Sequence, residues 1–245
     1  MNRISEKYLL WVIAGIVFIF WALLALPFYP VTQNDVVCRY GPMAEAFAQG
    51  NWIEAFHPRF GVLFQIFSGA VVWSTGLDGV RACQLVSIFF FALGVVPLYK
   101  LLRVAFNSDK LLPLIGVIFY VSIPDLFSYA MSGLRDTVRM AGLLFYTLGV
   151  VDLLKGGKGF YSAIGIFLLG SIRVDCYVIA IVGMFAFIIL DVYLNKWKMW
   201  RSGLIVSVMI FVTLMLSTMN YCFTGYFVPI VRAIKIIERI IGGAL

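Results

Sequence analysis

Residues 9–26 read LLWVIAGIVFIFWALLAL, an apolar run without a charged or amide side chain. A helix needs about 20 apolar residues to cross the hydrocarbon core of a bilayer, so this run predicts a membrane span. Arg3 and Lys7 precede it, as in a signal peptide. However, the run exceeds the roughly 7–15 apolar residues of a cleaved leader and lacks a small-x-small cleavage site. We therefore expect a retained anchor with a cytoplasmic N-terminus.

The composition extends this interpretation to the whole chain. Of the 245 residues, 62% are hydrophobic and 13% charged, and the mean hydropathy is +0.99. Soluble domains carry about 45–50% apolar and about 25% charged residues. Because the apolar residues form long runs instead of alternating with polar ones, a membrane β-barrel is disfavoured. The composition predicts an all-α polytopic membrane protein and excludes a soluble enzyme, and the +7 net charge is assigned to membrane orientation rather than to nucleic acid.

Further apolar runs bring the expected number of transmembrane helices to about seven. The first span is extended to 9–28, and the others lie at 82–102, 111–128, 138–154, 159–172, 174–194 and 203–221. The run at 60–76 is not counted as a span. If it crossed, every lysine from Lys100 to Lys198 would lie outside, against the rule that basic residues flank spans on the cytoplasmic side. We expect one seven-helix module over 1–221, in a bacterial inner membrane or the endoplasmic reticulum.

Two segments are expected to lie on the extracytoplasmic side without crossing. The first outer loop, 29–81, carries two helical patterns at 42–49 and 60–75, which predict juxtamembrane helices. In the segment 222–245, isoleucines alternate at helical spacing with Arg and Lys. This pattern predicts an extracytoplasmic amphipathic helix at the membrane surface.

The basic residues of the predicted outer side are almost all arginines. Arginine grips phosphate through a planar fork of N–H donors, whereas orientation alone does not require it there. For each of these arginines, the alternative to phosphate binding is an ion pair with a nearby carboxylate. These outer arginines are Arg39, Arg59, Arg81, Arg135, Arg139, Arg173, Arg232 and Arg239.

Two carboxylates on the same predicted side are candidates for chemistry. Asp35 follows the first span by a few residues. At that position a carboxylate can take a proton from an acceptor hydroxyl or hold a divalent metal ion, and the alternative is an ordinary polar loop residue. Asp136 lies between Arg135 and Arg139, so a local ion pair is the alternative there.

His57 is the only histidine, so a histidine-rich zinc site is excluded. Arg173 and Asp175 lie at a tight turn between two expected spans, where charges are costly and tend to be functional. The cysteines either form disulfides in an oxidising compartment or serve as small apolar residues. They are Cys38, Cys83, Cys176 and Cys222.

The order of these features resembles the GT-C membrane glycosyltransferases, which include protein O-mannosyltransferases, lipid A aminoarabinose transferases and the catalytic subunit of oligosaccharyltransferase. The first outer loop is similar to the family pattern D…Y…A…G(D/N)W. His57-Pro58 resembles the (H/K)PP element, with Arg59 in place of the second proline. The first-loop pattern is carried by Asp35, Tyr40, Ala44, Gly50, Asn51 and Trp52.

The resemblance continues to the end of the module and covers about residues 8–227. Its later elements are the residues that lead into the second span, a proline in the third span, the acidic residue of the second outer loop and a turn with the pattern G…R-x-(D/E). The matching residues are Thr75, Gly76, Val80, Arg81, Pro124, Asp136, Gly170, Arg173 and Asp175.

The resemblance implies transfer of a sugar, with inversion, from a polyprenyl-phosphate donor to a lipid, glycan or protein acceptor at the extracytoplasmic face. Asp35 would be the general base or metal ligand and Asp136 the second acid, with a divalent metal ion as the only cofactor. Most relatives continue beyond the seven-helix module. The alternative is therefore a non-catalytic membrane subunit or inactive relative that binds a lipid-linked glycan or a larger membrane transferase. The expected substrate-binding residues are Tyr40, His57, Arg59, Arg139, Arg173 and Asp175.

Overall fold

The computed structural model of the chain describes residues 3–27, 33–56, 62–106, 111–157 and 159–172. In the C-terminal third it describes residues 181–186, 188–189, 193, 207, 210–211, 213–215, 217–218 and 221–222, all of them helical. Throughout these ranges the chain forms helices and turns and no strand, which confirms the all-α expectation.

The continuous described ranges contain nine α-helices, and a π-helical turn, Val36–Tyr40, leads directly into the second of them. The helices are α1 (Arg3–Ala25), α2 (Gly41–Ala48), α3 (Trp52–Ala55), α4 (Val62–Thr75), α5 (Gly79–Ala105), α6 (Leu111–Ser122), α7 (Pro124–Met131), α8 (Asp136–Leu154) and α9 (Phe160–Ile172). Helices α2 and α4 confirm that the two patterned stretches of the first loop are helical.

Three helices of the described part, α1, α5 and α8, are long and apolar enough to cross a membrane. Helices α6 and α7 add a fourth candidate if the bent pair forms one span. Several apolar helices of this length make the chain an integral membrane protein. Helices α4 and α9 are apolar but shorter, with 14 and 13 residues.

Three or four candidate spans are fewer than the seven expected from the sequence. The expected spans at 174–194 and 203–221 lie largely outside the described residues. The amphipathic helix expected at 222–245 also lies outside them, apart from Cys222.

The span expected at 111–128 is a bent pair of helices in the structure. Helix α6 ends at Ser122, and α7 begins at Pro124 after a bend of 56°. Proline lacks the N–H that would continue the helix and disfavours helical backbone in the preceding residue. Ile123 accordingly takes an extended conformation, with φ −66° and ψ 118°. Because α7 ends at Met131 and α8 begins at Asp136, residues 132–135 form a short turn between the two helices.

Helix α5 is the central element of the described bundle. It packs against α1 and α6 on one flank and against α4 and α8 on the other. Phe91 and Val95 are buried in the first contact, and Val86 and Phe90 in the second. Burying an aliphatic or aromatic side chain stabilises a fold by roughly 1.5–3 kcal/mol, and α5 does this on both sides.

The antiparallel arrangement gathers several helix ends at one end of the bundle. There α1, α7 and α9 end and α5 and α8 begin. Tyr40 belongs to the same buried cluster as residues of α5, α8 and α9. We call this the Tyr40 end. Towards the opposite end, Lys100 of α5 donates to the hydroxyl of Tyr161 in α9 at 2.5 Å.

A close backbone approach fastens the first loop to α5. A Cβ atom on Gly79 would lie 2.1 Å from the carbonyl oxygen of Gly41, so only glycine permits this contact. The Glu45 side chain accepts a hydrogen bond from the Gly79 N–H at 2.7 Å. That bond satisfies one of the N–H groups that every helix N-terminus leaves unpaired. The start of α2 is thereby fixed against the start of α5.

A second set of contacts fastens the turn between α7 and α8. The Gln84 amide donates to the Met131 carbonyl at 2.8 Å, and the Ser87 hydroxyl donates to the Leu134 carbonyl at 2.7 Å. Gly133 has a φ of +78°, which favours glycine, and its Cα faces the backbone of α5. The turn therefore holds the beginning of α8 at the Tyr40 end.

The Gly41–Gly79 contact predicts that an added methyl group destabilises the protein at Gly79 but not at Gly15. Gly79→Ala should lower the free energy of unfolding by about 1–3 kcal/mol, because the Cβ atom meets backbone that cannot move aside. Gly15→Ala in α1 is the matched control, since no atom lies within 4 Å of the place its methyl group would take and alanine favours a helix. Thermal unfolding in detergent, followed by circular dichroism, measures both. Equal melting temperatures for Gly79→Ala and the unmodified protein would contradict the close approach.

Candidate functional site

The π-helical turn Val36–Tyr40 sets the directions of the first candidate residues. The Gly41 N–H donates to the Val36 carbonyl, five residues back, which is the bond that widens a helix into a π turn. Single π turns are frequent at functional sites. Asp35 and Arg39 are exposed, whereas Tyr40 is buried, with 3% of its surface accessible. The turn therefore presents two charged groups outside and anchors them by an aromatic ring inside.

Asp35 and Arg39 form an ion pair one helical turn apart. The Arg39 Nη1 atom lies 3.1 Å from Asp35 Oδ1, and each side chain is about half exposed. An ion pair of this exposure contributes roughly 0–1 kcal/mol, so it orients the carboxylate more than it stabilises the fold.

Tyr40 connects this turn with α8. Its ring packs edge-on against Phe64 of α4 at a centroid distance of 5.8 Å. The Arg135 guanidinium lies over the ring, 5.4 Å from the centroid, a distance at which a cation is attracted by the ring face. The aromatic ring is thus held between the first loop's helix α4 and the beginning of α8.

The electrostatics of the Tyr40 phenol show which charges surround it. Burial raises its pKa above the ordinary value of 10.0, and the Arg135 guanidinium opposes that rise. Asp35 and Asp136 both raise the same pKa, and Arg39 lowers it. The two candidate carboxylates, far apart in the sequence, therefore act on one phenol at one end of the bundle.

Arg135 joins three parts of the described bundle. It precedes α8 as its N-cap residue, and its Nη1 atom donates to the carbonyl of Ile172, the last residue of α9, at 3.4 Å. With its guanidinium over Tyr40, the same side chain also contacts the first loop. One turn further along α8, Arg139 Nη2 lies 3.1 Å from Asp136 Oδ1.

These residues form what we call the arginine site. Its described side chains include three guanidiniums and two carboxylates. Arginine forks and a local positive potential favour an anion such as a phosphate group. The arginine site consists of Asp35, Arg39, Tyr40, Arg135, Asp136 and Arg139.

The donor set at this site fits a divalent metal ion poorly. Asp35 and Asp136 are each already paired with an arginine. Within the part of the chain that the structure describes, no group of three or more His, Cys, Asp and Glu side chains could hold a metal ion. A metal ion would also have to enter among three guanidiniums, whose charge repels it. The metal ion expected from the sequence therefore stays a prediction without support from the geometry.

Four of the predicted site residues come together, and four lie outside the described residues. Asp35, Tyr40, Asp136 and Arg139 belong to the arginine site. Asp136 forms an ion pair with Arg139, the structural role that the sequence offered as an alternative to a chemical one. It is the first residue of α8 and does not lie in a loop. The residues outside the described ranges are His57, Arg59, Arg173 and Asp175.

Arg135 was missed as a site residue by the sequence reasoning. It belongs to the outer arginines, but nothing local distinguishes it from the others. Its role follows from contacts with Tyr40 and Ile172, which lie far from it in sequence. The available signal was Gly133, a turn-forming residue two positions earlier that fixes where α8 begins.

The cysteines of the described part show no disulfide. Cys38 and Cys222 are exposed free thiols, and Cys83 is buried and free. The Cys38 thiol donates to the Asn34 side chain at 3.0 Å, beside the arginine site. Cys176 lies outside the described residues.

Comparison with known proteins gives no match for this chain among protein-family models, curated proteins or solved structures.

The contact between Arg135 and Tyr40 predicts a pKa change. Arg135→Ala should raise the pKa of Tyr40 further, because the guanidinium is the main group that favours the phenolate. NMR titration of ring-labelled tyrosine, with Tyr40→Phe to assign the signal, measures the change. Lys155→Ala at the exposed end of α8 is the control and should leave the titration unaltered. An unchanged Tyr40 titration in Arg135→Ala would contradict the contact.

Proposed function

We propose that the protein is a glycosyltransferase that moves a sugar from a polyprenyl-phosphate donor to an acceptor at the extracytoplasmic membrane face. The observation that carries the proposal is the arginine site, where two carboxylates and three guanidiniums meet at one end of an apolar helical bundle. A donor of this class has an apolar chain for the membrane and a phosphate for the arginines. The resemblance of the sequence motifs to GT-C glycosyltransferases supports the same reaction.

The proposed step begins with the acceptor hydroxyl beside Asp35. Its proton passes to the carboxylate while its oxygen forms a bond to the anomeric carbon of the sugar. The bond from that carbon to the phosphate oxygen breaks on the opposite face, so the configuration inverts and polyprenyl phosphate leaves. The ion pair with Arg39 engages Oδ1 of Asp35, and Oδ2 is the proposed proton acceptor.

The arginines act on the leaving group in this mechanism. Negative charge on the phosphate grows as the bond to the sugar breaks, so positioned guanidiniums stabilise the transition state more than the bound donor. Arg135 is held by the Ile172 carbonyl and the Tyr40 ring, which fixes its fork before the donor arrives. We assign Arg135 and Arg139 to the phosphate, together with Arg59 and Arg173.

We propose the seven-span topology with the N-terminus in the cytoplasm and the Tyr40 end outside. Lys100 and Arg103 lie near the end of α5, and Lys155 directly follows α8, all towards the opposite end. Basic residues flank spans on the cytoplasmic side, so their position supports this orientation. It also places the arginine site where a lipid-linked sugar would meet an extracytoplasmic acceptor.

Replacing the proposed base tests the reaction. Asp35→Asn should reduce sugar transfer about 100-fold or more, since a positioned general base contributes roughly 10²–10⁴ to the rate. The assay is transfer from a radiolabelled polyprenyl-phosphate sugar by the purified full chain. Asp125→Asn is the control, because Asp125 is an exposed carboxylate in the first turn of α7 and has no assigned role. Equal transfer by Asp35→Asn and the unmodified protein would remove Asp35 from the chemistry.

A second candidate function is a non-catalytic subunit that binds a lipid-linked glycan. The favouring observation is that both carboxylates are held by arginines of their own helical turns. A carboxylate paired with an arginine can belong to a binding surface as well as accept a proton. Tight binding of a polyprenyl-phosphate sugar without transfer, together with co-purification of a larger membrane transferase, would favour this candidate over the enzyme.

The proposed orientation predicts the accessibility of single cysteines. In a variant with Cys38 as its only cysteine, a membrane-impermeant maleimide should label intact cells, because Cys38 is exposed at the Tyr40 end. In an otherwise cysteine-free protein, Lys155→Cys should be labelled only after permeabilisation. The opposite labelling pattern would reverse the topology and leave the proposed reaction on the wrong side of the membrane.

A further inference from the structure

The part of the first loop between Gly41 and Gly79 begins and ends at one place. Helices α2, α3 and α4 lie between these two glycines, whose backbones are in close contact. The longest of the three, α4, has 14 residues. At a rise of 1.5 Å per residue it is about 21 Å long, too short for a hydrocarbon core of roughly 30 Å. Helix α4 therefore does not cross the bilayer, and the chain returns to the side from which it came.

Helix α4 packs lengthwise against the first half of α5. It ends at Thr75, just before α5 begins at Gly79. Towards its other end, the ring of Phe67 lies 5.6 Å from the ring of Phe90 in α5. Phe90 follows Gly79 by about three turns, or about 16 Å along a helix that is long and apolar enough to span the membrane. The contact thus places α4 beside the membrane-spanning part of α5.

The outward side of α4 continues the apolar surface that α1 and α5 present to lipid. Phe89 of α5 is exposed, and its ring contacts both Phe18 of α1 and Phe90. Phe90 in turn contacts the exposed ring of Phe67. A continuous row of phenylalanine rings therefore leads from two candidate membrane spans to α4.

The exposed residues of α4 change in character towards its end. The helix has no charged side chain, and its exposed positions begin with the apolar Phe67 and Ala70. Trp73 follows with 78% of its surface accessible, and the hydroxyl residues Ser74 and Thr75 end the helix. Tryptophan is enriched where a membrane meets water, because its ring is apolar and its N–H is polar. This order is typical of a helix that rises from hydrocarbon through the interface.

We propose that α4 is a re-entrant helix, inserted into the leaflet on the side of the Tyr40 end. Phe67 and Ala70 contact lipid acyl chains, and Trp73 lies at the level of the headgroups. A helix suits this position because its backbone hydrogen bonds are made within the segment. Since Phe64 of α4 contacts Tyr40, the insertion anchors one side of the arginine site in the bilayer. The inference does not depend on which side of the membrane the Tyr40 end faces.

Spin labels on single cysteines measure the depth of α4. The full chain, with its native cysteines replaced, is reconstituted into phospholipid vesicles with either Ala70→Cys or Ser74→Cys. These positions are exposed and lie one turn apart on the same face of α4. Electron paramagnetic resonance compares relaxation by oxygen, which concentrates in hydrocarbon, with relaxation by a water-soluble nickel chelate on both sides of the membrane. Ile16→Cys on the exposed face of α1 is the hydrocarbon reference, and Lys155→Cys is the aqueous reference.

The label at Ala70→Cys should resemble the label at Ile16→Cys, with strong relaxation by oxygen and little by nickel. Ser74→Cys lies about 6 Å further along the helix axis and should be relaxed more by nickel than Ala70→Cys. Strong nickel relaxation at both positions, as in Lys155→Cys, would place α4 in water and overturn the inference. Little relaxation by either reagent at Ala70→Cys would show that protein, such as a second copy of the chain, covers this face, and would overturn it as well.

Discussion

The candidate site depends on the contact of one guanidinium with three parts of the bundle. Arg135 lies over the Tyr40 ring, donates to the Ile172 carbonyl and precedes α8. A planar cation suits this arrangement, because its face is attracted by an aromatic ring while its N–H groups point outward to acceptors. A lysine in its place would have neither the fork nor the flat face. Arg135 therefore connects segments that are distant in sequence.

These contacts of Arg135 require that α5 hold two segments in place, the first loop that carries Tyr40 and the turn that carries Arg135. The start of α2 is fixed by the Gly41–Gly79 approach and by Glu45, and the turn before α8 is fixed by Gln84 and Ser87. Hydrogen bonds from buried side chains to backbone carbonyls are costly to break, since the carbonyl would be left unpaired. Helix α5 thereby carries both the apolar core and the polar contacts that position the arginine site.

The sequence predicted the features that depend on local pattern. Apolar runs predicted α1, α5 and α8, and the helical patterns of the first loop predicted α2 and α4. The break at Ile123 was missed because the apolar run continues through Pro124, and hydrophobicity outweighed the known effect of proline on a helix. Asp35 and Asp136 were chosen because both were expected on the extracytoplasmic side, one just after the first span and the other in the second outer loop. The link through Arg135 was not predictable, because it requires knowing which side chains meet across α5.

The charges of the arginine site bear on whether its side chains only pair with one another or also bind a ligand. If each carboxylate only neutralised its neighbouring arginine, Asp35 with Arg39 and Asp136 with Arg139 would form two exposed pairs of little energetic value. Arg135 adds a third guanidinium at the same end of the bundle, over the Tyr40 ring and within hydrogen-bond distance of the Ile172 carbonyl. Among its described residues, the fold thus gathers three guanidiniums and two carboxylates in the arginine site. The ligand that we propose for this site is anionic, and burial raises the pKa of the Tyr40 phenol, so the ring stays neutral and adds no opposing charge.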